Sequence, residues 1–375
     1  MAPPLAPRMG TVDVDDLARF DALVAAGAAS MHGWHVQSID LSERSAVLRR
    51  LRAAGAIFMG CHFAPGLEDS LRARGALLFP TLPGIPFNAY RGRLYTGAEL
   101  YEGISGSPYE GTPDALIYQW ALQAGRERSL DATLATAMHD HAISDALDDE
   151  LNDGALAGAP VVGVMGGHAA ARGSRDYATA ARLGRLLARS GKVVATGGGP
   201  GAMEAANLGA YLSQEDDGAL DQALAELAAV PGFRPSVSAW ARVAAAVVER
   251  HPAGATNLGI PTWFYGHEPP NIFATHIAKY FANSIREAML LERCTGGIVF
   301  LPGAAGTVQE IFQDGCENYY AAEEAVAAMV LVGRAHWEKE LPVWPLLSTL
   351  AAGRAMAARI HCVDTIEEAC AVLAG

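Results

Sequence analysis

The chain has 375 residues, 51% of them hydrophobic, with 28 Lys and Arg against 41 Asp and Glu and a formal net charge of −13. That much apolar sequence supports one large core or two ordinary ones, and the acidic balance argues against nucleic acid as a partner. No apolar run approaches the roughly 18 to 20 residues that cross a bilayer, and the opening Met1 to Arg8 lacks the basic-then-apolar layout of a signal peptide. The expectation is therefore a cytoplasmic globular protein with no membrane partner. The five cysteines (Cys61, Cys294, Cys316, Cys362, Cys370) are an odd number without a CxxC pair, which points to buried thiols rather than disulfides or zinc.

Along the chain, Ala56 to Gly60, Leu67 to Arg74 and Ala76 to Phe79 read as a small βαβ element. The Pro-, Gly- and Tyr-containing segment Pro80 to Pro113 reads as an irregular loop, and Ser144 to Pro160 as a linker. The acidic run Asp145 to Asp153 reads as a solvated helix end rather than a metal site. Residues 1 to 150 are thus expected to form a separate α/β region, and residues 155 to 375 a second domain.

In that second domain strands and helices alternate. Strands are predicted at Pro160 to Met165, Lys192 to Thr196, Leu258 to Tyr265, Gly297 to Leu301, Ala328 to Val332 and Arg359 to Val363. Helical patterns fill Ser174 to Ser190, Ser213 to Pro252 with a break at Pro231-Gly232, Ile272 to Arg293, the stretch through Leu350, and Ile366 to Leu373. Such alternation predicts a doubly wound, mainly parallel α/β sheet.

Two of these strands end in glycine-rich turns that open helices: Gly197-Gly198-Gly199-Pro200-Gly201-Ala202-Met203-Glu204 and Pro302-Gly303-Ala304-Ala305-Gly306-Thr307-Val308-Gln309-Glu310. Such a turn presents unpaired N–H groups and the positive end of a helix dipole, a seat for phosphate. The first turn also satisfies the loose GxGxxA dinucleotide pattern, but the stretch Ser213 to Leu224 is polar and then helical, not a strand ending in the acidic residue that a ribose needs. In the second turn, Thr307 and Glu310 lie three apart and share one helix side. The plain alternative is a Thr-x-x-Glu capping box.

Together GGGPGAME and PGAAGTVQE resemble the GGGxxGxM and PGGxGTxxE motifs of the LOG family, phosphoribohydrolases known for cytokinin activation and often mislabelled as lysine decarboxylases. The resemblance spans residues 160 to 332. The leading Gly166-Gly167-His168, the stretch Glu268-Pro269-Pro270-Asn271 and the N-terminal region are more similar to the family's long bacterial nucleotide nucleosidases. The resemblance implies a Rossmann-like fold, assembly as a dimer or higher homo-oligomer, and hydrolysis of a nucleoside 5′-monophosphate to free base and ribose 5-phosphate without a cofactor or metal. In the long members the N-terminal region resembles a sensor of nucleotide alarmones.

The residue chemistry is compatible with that activity. Loss of the base leaves an oxocarbenium-like ribose, which a carboxylate at the anomeric carbon would stabilise while activating water. Glu310 matches the family's glutamate. Gly303, Gly306 and Thr307 would seat the 5′-phosphate, with Gly198, Gly199 and Gly201 lining the facing turn and Gly166, Gly167, His168, Met203 and Glu204 beside them. Counting back from Pro302 by the spacing of short members puts the catalytic arginine at Glu287, and a one-residue offset turns a helical side chain by about 100°. An extra residue before Gly297 restores Arg286, with Arg293 as the fallback, and either could clamp phosphate or ribose hydroxyls. A second departure is Ala304 where the family has glycine.

Rival chemistries find fewer residues. Lysine occurs only at Lys192, Lys279 and Lys339, none beside either turn, so pyridoxal phosphate has no anchor. His139 and His141, two apart, point in different directions on a helix and make no metal pair. The remaining alternative is a non-catalytic nucleotide or molybdenum-cofactor carrier of the same fold.

Overall fold

The computed structural model describes residues 11 to 127, 129 to 264 and 268 to 374. The described residues divide into two compact units, one of residues 11 to 94 and 120 to 147, the other of residues 95 to 119 and 148 to 374. In chain order the first elements are β1 (Val12–Val14), α1 (Leu17–Ala25), β2 (Trp34–Gln37), α2 (Ser45–Arg50), β3 (Ile57–Met59), α3 (Leu67–Ala73) and β4 (Leu77–Phe79). They form a four-stranded parallel sheet in the order β1-β2-β3-β4. The register aligns Val14 with Val36, Val36 with Phe58 and Phe58 with Leu78. Those side chains pack with Phe20, Leu48, Leu67 and Leu71 into one apolar core, as the period of two in strands and the apolar faces of the helices require. β1, α1 and β2 precede the βαβ element that the sequence revealed.

There follow α4 (Gly97–Leu100), α5 (Pro113–Glu127) and α6 (Leu130–Asn152). The expected linker from Ser144 is in its first half the end of α6, and Asp145 within the acidic run is buried rather than solvated. The expected loop 80 to 113 is also only partly irregular. From Tyr95 onward it is built into the second unit: Tyr95 exchanges backbone hydrogen bonds with Ile277 at 2.9 and 2.8 Å. Asp114 receives hydrogen bonds from Lys279 Nζ (2.6 Å) and Trp263 Nε1 (2.9 Å).

The second unit continues with β5 (Val161–Met165), α7 (Arg175–Arg189), β6 (Val193–Thr196), α8 (Ala202–Tyr211), α9 (Asp217–Leu227), α10 (Val237–Arg250), β7 (Leu258–Gly259), β8 (His276–Ile277), α11 (Asn283–Glu292) and β9 (Ile298–Phe300). It closes with α12 (Ala305–Tyr320), β10 (Met329–Val332), α13 (Val343–Ala351), β11 (Ile360–Val363) and α14 (Ile366–Ala374). All seven strands are parallel, in the order β11-β10-β9-β5-β6-β7-β8. This is the expected Rossmann-like α/β sheet, with β5 and β9 fully buried as in a sheet covered on both faces. The small residues of α7 (Ala180, Ala181, Gly184) and α8 (Ala205, Ala206, Gly209) let the two helices approach closely inside the main core.

Two element boundaries differ from the sequence reading. The helix expected from Ile272 begins only at Asn283, because His276 and Ile277 pair with Leu258 and Gly259 as an edge strand. Lys279 is therefore in the loop after β8, buried on Asp114, and not in a helix. The strand predicted from Leu258 ends at Gly259, and its expected end at Tyr265 lies outside the described residues.

Candidate active site

The strand order reverses between β5 and β9: β6 to β8 extend to one side and β10 and β11 to the other. In open α/β sheets the crevice at the carboxyl ends of the two strands flanking such a reversal is where ligands bind. β5 runs into Gly166-Gly167-His168, β9 into Pro302-Gly303, and β6, the neighbour of β5, into Gly197 to Gly199. The topology thus gathers all three glycine segments at one edge. Gly167 donates its N–H to Pro302 O (3.2 Å), and Gly167 O accepts from Ala202 N–H (3.2 Å).

Backbone geometry explains two of the glycines. Gly201 has φ +76° and a Cβ there would lie 2.5 Å from His168 O, so the turn closes only without a side chain. A Cβ on Gly303 would overlap the hydroxyl of Thr307. Ala304 has φ −121°, an ordinary angle for alanine, so its departure from the family pattern costs no strain. Ala304 is also the N-cap of α12, and it makes no side-chain cap. Thr307 consequently sits inside the helix and Thr307-x-x-Glu310 is no capping box. Among the described residues no group accepts from the N–H of Gly303, Ala304, Ala305, Gly306 or Thr307. These donors lie at the positive end of a helix sixteen residues long, an arrangement that favours negative charge.

Beside them stand the ionisable groups. Arg286, in the first turn of α11, places Nη1 3.7 Å from Glu310 Oε1, with side chains 11% and 16% exposed. Nη1 also lies 3.7 Å from where a Gly197 Cβ would be, and the Arg286 Nε is buried without an acceptor among the described residues. Burial pushes the Glu310 carboxyl up to about 7, against the pull of Arg286 and with a push from Glu287. Met203 folds its thioether over Gly197 and Gly199, and the Glu268 carboxylate approaches Gly199. Glu287, the alternative register position, is held by Gln309 Nε2 (2.6 Å) and Asn283 Nδ2 (2.7 Å).

The remaining expected residues are placed differently. Glu204 is fully buried and paired with Arg172, whose Nε donates to Oε2 at 3.1 Å and whose Nη1 donates to Trp240 O at 3.0 Å. A carboxylate so consumed supports the turn from below and offers no oxygen to a ligand. Arg293 lies at the C-terminal end of α11, where its Nε and Nη2 both bond Asp148 Oδ1 at 2.9 Å. It is therefore engaged away from the glycine turns and is no phosphate clamp. His168 is exposed, and its backbone carbonyl, not its ring, is what meets Gly201.

The sequence reading missed the buried amide cluster that holds the first turn. Asn271 donates its N–H to Gly198 O (2.8 Å) and its Nδ2 to Gly199 O (3.2 Å) and Asn207 Oδ1 (3.0 Å). Asn207 also accepts from Thr196 Oγ1 (2.7 Å) and donates to Asn257 Oδ1 (2.8 Å). Three asparagines at full burial are a signal only once burial is known, since Asn is mostly exposed. Asp314, one helical turn below Glu310, was missed as well. Burial and nearby Glu317 push its carboxyl up to about 8, and its Oδ2 has no hydrogen-bond partner among the described residues.

No curated protein matches the chain. Among solved structures, the molybdenum cofactor binding protein from Rippkaea orientalis is 17% identical, covering 58% of this chain and 96% of its own, with TM-score 0.35. The molybdenum cofactor carrier protein MCP from Chlamydomonas reinhardtii is 19% identical, covering 58% and 99%, also with TM-score 0.35. Residues 159 to 218, which carry β5 and the first glycine turn, match the model of the SLOG cluster4 family, so that what the comparisons support for this segment is a likeness to the LOG-like superfamily.

Proposed function

We propose that residues 155 to 375 hydrolyse the N-glycosidic bond of a nucleoside 5′-monophosphate. The observation that carries this reading is the Arg286–Glu310 pair, 3.7 Å apart, beside the uncapped N-terminus of α12. In this reading the 5′-phosphate takes the free N–H groups from Gly303 to Thr307, and Met203 faces the base. Glu310 stands near C1′, and the open Nε of Arg286 reaches the ribose hydroxyls or the phosphate. The C1′–N bond breaks with its electron pair leaving on the base, which takes up a proton from solvent, balanced when Glu310 later releases the proton it takes from water. A water oxygen bonds to C1′ while Glu310 accepts the water's proton and its charge stabilises the oxocarbenium-like ribose. A carboxyl pushed up to about 7 is suited to exchanging that proton near neutral pH.

Glu310→Ala tests the assignment. Base release is expected to fall about a thousandfold, while calorimetry shows nucleoside monophosphate still binding within a fewfold of the wild-type affinity. Release at the wild-type rate would remove Glu310 from the chemistry. The same reading includes a homo-oligomer, checked by light scattering, and a regulatory role for residues 1 to 150.

A further inference from the structure

The N-terminal unit has a second ligand-sized feature. A cavity of about 290 Å³ opens at the carboxyl ends of β2, β3 and β4. It is lined by Ser38 after β2, by Gly60 after β3, by Thr81 and Leu82 after β4, and by Phe87 and Tyr90 of the following loop. Carboxyl ends of parallel strands are the ligand-binding edge of such sheets, and the volume is at the small end of the range for small-molecule sites, of order 300 Å³ and upward.

The chemistry of this edge is unlike that of the glycine turns. The lining contains no Lys, Arg, Asp or Glu. Four of its backbone donors are engaged: Ser38 N–H goes to Met59 O (2.8 Å), Gly60 N–H to Phe79 O (2.9 Å), His62 N–H to Ile39 O (3.0 Å) and Tyr90 N–H to Asn88 Oδ1 (2.9 Å). A phosphate there would lack the Lys or Arg side chain that usually pairs with it.

The polar groups that remain are side-chain ones, held in place. Asn88 Nδ2 donates to Ser38 Oγ (2.8 Å), and the Ser38 hydroxyl lies 3.1 Å from Tyr90 O. Ser38 has φ +53°, and it is the one non-glycine residue at positive φ among the described residues, a strained backbone fixed by these bonds. The Tyr90 hydroxyl donates to Pro80 O (3.1 Å). Phe87 is set edge-to-face by Trp120 (5.0 Å between centroids) and by the buried ring of His139 (5.2 Å). Two fixed aromatic rings, a carboxamide, three hydroxyls and an imidazole around a slot free of Lys, Arg, Asp and Glu match a flat heterocycle with its own donors and acceptors.

We propose that this cavity binds an uncharged purine or pyrimidine, as free base or nucleoside. That such a base is also the enzyme's product, making the cavity a product sensor, rests on the hydrolase reading above. Occupancy of the cavity does not.

The test uses the full-length protein and titrates adenine, guanine, hypoxanthine, uracil, cytosine and their nucleosides by calorimetry and saturation-transfer NMR, with inorganic phosphate as the contrasting probe. At least one base or nucleoside is expected to bind. Thr81→Trp, a replacement at an exposed rim position that fills the opening, should weaken it at least tenfold, and Asn88→Ala by a smaller factor. Arg286→Ala in the other unit should leave that binding unchanged, and phosphate should not compete. The proposal is overturned if no base or nucleoside binds at millimolar concentration, or if Thr81→Trp and Asn88→Ala bind as the wild type does. It is overturned equally if Arg286→Ala abolishes the binding. Base binding that survives in a protein found to release no base from any monophosphate would keep the cavity and refute the hydrolase, so the two failures are distinguishable.

Discussion

The two parallel sheets of this chain end their strands in opposite ways. In the second unit the carboxyl edge is built of glycine turns, and the amides from Gly303 to Thr307 have no acceptor among the described residues. In the N-terminal unit the residues after β2 and β3 continue the ladder by one more bond each, as Ser38 to Met59 and Gly60 to Phe79. The same architecture thus leaves a run of amides open at the start of α12 and closes those that directly follow β2 and β3. What decides ligand class is less the sheet than the fate of a few backbone donors past its end, together with the charges beside them. Arg286 and Glu310 flank the first edge, whereas the second has side-chain hydroxyls and amides.

The contrast can be broken at its supports. The largest expected effect is from Glu204→Ala, which strands buried Arg172 without its carboxylate and is expected to cost about 3–5 kcal/mol of stability, read as a lower denaturation midpoint. An unchanged midpoint would show that the pair does not hold the first turn. Next is Gly303→Val, whose side chain collides with Thr307 and closes the amide cradle. Base release should drop about a hundredfold, of the order seen when a preorganised donor is lost. A drop of less than twofold would mean the phosphate sits elsewhere.

Smaller effects come from pH. Glu310 must be ionised to take a proton, so kcat/KM should rise with pH through about 7. Removing the Arg286 charge, which lowers that carboxyl, should move the residual activity's rising limb to higher pH. A limb that stays put would separate the two side chains. For stability the sign is reversed: Glu310 and Asp314 have folded values raised above their ordinary ones. Their favourable contribution is full below about pH 4 and is lost as pH rises through about 7 and about 8. Asp314→Asn should therefore stabilise the protein above pH 8 and change little at pH 4, as thermal melts at the two pH values would show. A loss of stability at the higher pH would mean that the ionised Asp314 has a partner.

How legible this was in the sequence depended on the range of the interaction. The alternation of β5, β6, β7, β9, β10 and β11 with their helices, and the two glycine turns, are local patterns, and a parallel sheet of six strands follows from them. Arg286 was ambiguous by one residue because loop length cannot be read from spacing. The fold answers by facing Arg286 toward Glu310 and Glu287 toward Gln309. Glu204 and Arg293 looked like ligand contacts because their burial and their partners, Arg172 and Asp148, lie 32 and 145 residues away. The edge strand at His276 was hidden within a helical pattern for the same reason: only pairing with Leu258 makes it a strand. The Asn207–Asn257–Asn271 cluster shows no periodicity at all, since it is assembled by tertiary contact.

The central claim is that the open edge does chemistry and not binding alone. The most direct measurement incubates the full-length protein with a broad panel of nucleoside 5′-monophosphates and quantifies free base and ribose 5-phosphate together by chromatography. The account predicts equal amounts of the two products from at least one member of the panel. Nucleotide bound with neither product formed would contradict it and leave a carrier in its place.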